Sequence, residues 1–138
     1  MKIYSYQKVS DAYTTYQAQG DGVTELCTLD GVTYLSGPDS LPAQPVQITV
    51  VPVNMTAMLK DAIKANSPHT RLIATRMEEQ IRAKYSLSDE QYFARIGVGV
   101  ALGAYVFQPG EEDELLAFGA FVEGVRQWGR DQRAGLGL

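Results

Sequence analysis

The spacing of apolar and polar positions changes period once along this chain. Up to Val53 it is the spacing of strands. Lys2 to Lys8 alternates and puts Tyr4 and Tyr6 on one face. Tyr13 to Ala18 is a second β-prone run, rich in Tyr and Thr. Gly20-Asp21-Gly22 reads as a turn. Val23–Leu29 and Val32–Leu35 flank Asp30-Gly31, a pair suited to a type I′ hairpin because both central residues of that turn need positive φ. Ser36 to Pro45 carries Gly37, Pro38, Pro42 and Pro45 and predicts an extended connection. Val46 to Val53 then reads as a strand, with Pro52 marking its end or an edge position.

From Asn54 the period is helical. Met55, Met58, Leu59, Ala62 and Ile63 form one apolar face of a short helix. Ser67-Pro68 opens a second, Ser67 as N-cap and Pro68 at the first helical position, and its core face is Ile73, Met77, Ile81 and Tyr85. A third is expected to be capped by Ser88 in a box with Gln91, with Leu87 and Tyr92 as a hydrophobic staple, and to run to Pro109-Gly110. The fourth begins at Glu111-Glu112-Asp113-Glu114 and ends near Arg126, Arg130 and Arg133. These charges suit the two poles of a helix dipole, each contributing about 0.3–1 kcal/mol. Leu115, Phe118, Val122 and Val125 are its core face, with Phe121 and Trp128 alongside. The expected fold class is therefore α+β: a small N-terminal antiparallel β unit over residues 1–53, then a bundle or hairpin of about four helices over 54–138.

Charge and composition narrow the function. The net charge is −4; two basic residues face five acidic ones up to Val53, and ten face eleven beyond it. Neither part is basic, which argues against nucleic acid as the main partner. The N-terminal residues lack the apolar core of a signal peptide. The longest apolar run, Ile96 to Phe107, is shorter than the roughly 20 residues a bilayer needs, so it predicts a buried helix and no membrane association. One cysteine, Cys27, excludes an internal disulfide and a Cys-rich zinc site, and fits a reducing compartment.

Candidate chemistry is sparse. Gly97, Gly99 and Gly103 miss the dinucleotide spacing by one residue and lie in a helical stretch, where small residues would instead let another helix approach. The single histidine, His69, cannot build a zinc site without carboxylates, and none is close in sequence. A Cys27–His69 dyad is set against a core cysteine, and the strand position of Cys27 favours the core. Glu111 to Glu114 point around a helix and do not converge on a cation. Glu78 and Glu79 read as solvated, within reach of bases such as Arg82. No catalytic residue, cofactor site or metal site emerges, and the expectation is a protein that is not an enzyme. Tyrosine is the informative residue. Tyr4, Tyr6, Tyr13, Tyr16 and Tyr34 crowd a sheet too thin to bury them all, and tyrosine is enriched at protein interfaces. Tyr4, Tyr6, Tyr13 and Tyr16 are the expected partner contacts. Phe118, Phe121, Val125 and Trp128 are expected to pack helices on a neighbouring copy or partner, with simple core packing as the other reading.

Several strings, Ser67-Pro68-His69 with Arg71-Leu72-Ile73, then Ile81 through Glu90, and Phe121 through Arg130, resemble the helical tail of small bacteriophage proteins associated with tail fibres and their assembly. Asp30-Gly31-Val32-Thr33-Tyr34 and Leu41-Pro42-Ala43-Gln44-Pro45 are similar to segments of the same proteins. The resemblance is one of layout and covers about half the chain; the glycine-rich stretch Ile96 to Phe107 departs from the charged helix it calls for there. It implies a β-rich N-terminal part, C-terminal helices and a non-enzymatic role in the virion tail, or in the host cytoplasm during assembly. The implied partner is a tail-fibre or baseplate protein, with a homo-oligomer as a further possibility. The other expectation, from the acidic charge and small size, is a phage protein that binds and inhibits a host protein.

Overall fold

The computed structural model describes residues 1–138. Strands come first: β1 (Lys2–Tyr6), β2 (Val9–Ser10), β3 (Thr15–Tyr16), β4 (Thr24–Leu29), β5 (Val32–Gly37) and β6 (Val51–Pro52). Helices follow: α1 (Ala57–Asn66), α2 (Pro68–Lys84), α3 (Leu87–Ala101) and α4 (Glu111–Gly135). This is an α+β fold, with a four-stranded antiparallel sheet in the order β4-β5-β1-β6 and a separate two-stranded β2-β3 hairpin. The β4–β5 turn is built as its residues dictate: Asp30 has φ 49° and Gly31 has φ 80°. Pro52 lies on edge strand β6, opposite Tyr4, where its missing N–H costs no ladder bond inside the sheet.

Three expectations change. Val46 to Ile48 is a turn closed by the Ile48 N–H on the Pro45 carbonyl at 3.2 Å, so the predicted strand shrinks to β6. The Tyr13 run pairs only through Thr15 and Tyr16. Met58, placed on the core face of α1, is 83% exposed, because that face is narrow and Ile63 alone is fully buried.

The chain divides into two compact units, residues 1–73 with 131–138, and residues 74–130. The expected boundary at 53/54 coincides with the change from strand to helix and not with this division. The reason is burial on both faces of the sheet. On one face Ile3, Leu26, Cys27, Ile63 and Leu138 pack together, with Met55 and Leu59 against them. A helix and the last residue of the chain thus complete the core of the β unit. On the other face Tyr4, Tyr6, Leu35 and Ile48 form a second cluster with Tyr16, Val23 and Leu41.

The helix boundaries follow their caps. Thr56 caps α1, accepting from the Leu59 N–H at 3.2 Å. Ser67 precedes Pro68 as expected, but its hydroxyl is buried without a partner; Ser67 closes α1 through its own N–H on the Ile63 carbonyl. The cap of α3 is Ser86, two residues before the expected Ser88: its hydroxyl accepts from the Asp89 N–H at 3.0 Å, and Asp89 accepts from the Ser86 N–H at 2.8 Å. Both serines have a polar residue three places on, and the ionised partner wins because it also suits the helix dipole. The apolar run does not form one buried helix. α3 stops at Ala101, Gly103 turns left-handed at φ 72°, and Val98, Leu102 and Val106 are exposed. Gly99 makes room for the chain's own return, since a Cβ there would meet the Tyr105 Cβ at 2.8 Å. Pro109-Gly110 therefore leads into α4 instead of ending α3.

Candidate interaction surfaces

The β2–β3 hairpin is organised by one carboxylate. Asp11 Oδ1 accepts from the backbone N–H groups of Tyr13 at 2.8 Å and Thr14 at 2.9 Å, while its Oδ2 accepts from the Tyr16 hydroxyl at 3.0 Å. The Asp11 N–H closes the loop on the Thr14 carbonyl at 2.9 Å, and the Ser10 and Thr15 hydroxyls pair at 2.9 Å. The two amides first, then the phenol, hold the Asp11 carboxyl below the usual carboxylate range. At the tip of this braced turn Tyr13 stands 98% exposed. Val9 of the same hairpin also lines a groove of about 420 Å³ with Ser5, Gln7, Gln47, Thr49 and Val51, none of them charged.

The other tyrosine expectations divide. Tyr4 and Tyr6 are 6% and 3% exposed and belong to the core, which corrects their assignment as partner contacts. Tyr4 donates to the Pro38 carbonyl at 2.7 Å and so ties β1 to the proline-rich connection; the Tyr6 hydroxyl is buried with no partner. Alternation placed both on one face correctly, but that face is covered by the chain's own loops. Tyr16 is half-buried and serves the hairpin through Asp11.

In the second unit, the rings of Phe118 and Phe121 lie 5.0 and 5.6 Å from Tyr85, and Phe118 stacks on Phe93 at 4.9 Å. The Lys84 ammonium sits 4.6 Å from the Phe121 centroid. Val125 is buried. Val125 thus packs inside the chain, while Phe118 and Phe121 are half-buried with their rings against others of the same unit. Trp128, also half-buried, lines an open cleft of about 450 Å³ with Arg76, Glu79, Gln80 and Ala83.

Glu111 is the polar centre that periodicity missed. It is buried, and its Oε1 accepts from the Tyr105 hydroxyl and from the Gln108 N–H, both at 2.6 Å; the Tyr92 hydroxyl donates to its Oε2. Tyr105 first, then Tyr92 and the Gln108 amide, lower the Glu111 pKa, and the same carboxylate pushes the Tyr92 phenol up to about 12. The node pins the loop before α4 to α3. Tyr105 six residues before the first of four helix-start acids was the available signal, but Tyr92 is too distant in sequence to have suggested it.

The Cys27 thiol is buried, which raises its pKa, whereas His69 is exposed on the first turn of α2. No group of three or more His, Cys, Asp or Glu side chains is arranged to hold a metal ion. No helix is long and apolar enough to cross a membrane. Compared with known protein families, curated proteins and solved structures, the chain matches none.

Proposed function

We propose that this chain is a non-enzymatic bacteriophage tail protein acting through protein–protein contacts, either a tail-fibre or baseplate-associated component or a tail-fibre assembly chaperone. The observation that carries the contact role is Tyr13. A fully exposed aromatic ring on a turn braced by four hydrogen bonds to Asp11 and its backbone is pre-organised, so docking it costs little ordering entropy. Tyrosine anchors of this kind dominate binding when they fill a partner's pocket. Val9 of the same hairpin lines an uncharged groove that offers amide and hydroxyl groups. The tail setting rests on the resemblance of the Ser67–Ile73, Ile81–Glu90 and Phe121–Arg130 segments to tail-fibre-associated proteins.

The test combines mass spectrometry of purified virions with capture on the immobilised full chain. Stoichiometric presence in the particle supports a structural component. Absence from the particle with capture of a fibre protein supports a chaperone. Capture of a host enzyme that the chain inhibits replaces the tail reading with that of an acidic inhibitor. Tyr13→Ala is expected to weaken capture about 30-fold, the effect of losing roughly 2 kcal/mol at an anchor. Unchanged capture by that variant removes the hairpin from the mechanism.

A further inference from the structure

The two flanks of α2 treat their charges differently. On one, Arg82 is paired with Glu78 at 2.9 Å and with Glu90 at 2.6 Å. On the other, Arg76 and Glu79 are exposed and make no hydrogen bond or ion pair within the chain. Gln80 and Ala83 complete that flank at helical spacing, and Trp128 of α4 forms its wall. A half-buried tryptophan beside an unpaired guanidinium is the residue combination that concentrates binding energy at interfaces.

We infer that this cleft is the interface of a two-fold symmetric self-association of the chain. A cation and an anion one turn apart on a helix are self-complementary: across a two-fold axis between positions 77 and 78, Arg76 of one copy faces Glu79 of the other, twice over. Antiparallel packing of two α2 flanks about that axis sets Gln80 opposite Thr75 and Ala83 opposite Leu72 of the other copy, and lays the second copy over the cleft that Trp128 walls. The charge pattern thus names its own partner, which a foreign acidic or basic segment would satisfy only in half. Five side chains line the cleft, far fewer than the roughly 20–30 residues a side of a stable interface, which puts the association in the weak, transient class. This inference is independent of the Tyr13 surface and of the tail setting.

Sedimentation equilibrium of the full chain from about 10 μM to about 1 mM brackets such an association. Trp128 is the single tryptophan, so its emission reports the same event and is expected to shift to the blue as copies associate. Arg76→Glu and Glu79→Arg each set like charges face to face and are expected to weaken association about tenfold or more. The double reversal Arg76→Glu with Glu79→Arg restores it to within about threefold, and Tyr13→Ala leaves it unchanged. A chain that stays monomeric across the range, or a dimer indifferent to the single reversals, overturns the inference. Because both residues are exposed, circular dichroism is expected to show every variant folded.

Discussion

At Glu111 the helix-dipole argument explains why a carboxylate opens α4 but not why it is buried. Two phenols and one amide surround it, and each hydrogen bond favours the ionised form. The linkage has a definite sign on both limbs of the pH profile. The lowered Glu111 pKa gives a contribution present above the usual carboxylate value and lost as pH falls through the lowered one. The raised Tyr92 pKa gives one fully present below the usual phenol value and lost as pH rises through about 12. Glu111→Gln is therefore expected to return the late-ionising phenol fraction toward the ordinary tyrosine range, followed by phenolate absorbance, and to lower thermal stability more than Glu112→Gln does. An unchanged phenolate titration would contradict the node. Aspartate does the corresponding work at Asp11, where it shapes a turn for display instead of closing a loop onto a helix.

Among the elements, α3 separates local signals that compete. Ser86 and Ser88 both offer a hydroxyl ahead of a helical pattern, and hydrogen bonding selects the one whose partner is Asp89. Ser86→Ala is expected to cost about 1 kcal/mol, the usual loss of a cap, whereas Ser88→Ala should stay within about 0.5 kcal/mol. Urea denaturation distinguishes them, and equal effects would restore the later start. The end of α3 was legible in composition but read the wrong way. Gly99 and Gly103 suggested a close approach by another helix, whereas Gly103 uses its freedom to turn the chain and Gly99 accommodates Tyr105. Small residues permit either outcome, and no local rule chooses between them.

For the molecule as a whole, burial rests on cross-element contacts. Ile63 is fully buried between helix and sheet, so Ile63→Ala is expected to cost about 2–5 kcal/mol, while Met58→Ala on the same helix should cost under about 0.5 kcal/mol. Calorimetry reads the difference directly; similar losses would mean that α1 packs by another face. The same contacts explain why a boundary drawn where the period changes is not the boundary of a compact unit: α1 and Leu138 belong to the core of the β unit.

Local pattern was sufficient for the α+β class, the Asp30-Gly31 hairpin, the placing of Pro52 at a strand end or edge, and the existence and type of all four helices. Each of these is settled by backbone geometry or by periodicity within a few residues. It also placed Tyr4 with Tyr6 and grouped Phe118, Phe121 and Val125. Which of those side chains meet solvent was decided only by packing, because exposure depends on what the distant chain lays over a face. Tyr4 and Tyr6 vanish beneath loops, and Tyr13 stays bare at the tip of a hairpin whose Tyr16 packs against that same cluster. The Glu111 node and the Trp128 cleft arise the same way, from residues 19 and about fifty places apart that only the folded chain brings together.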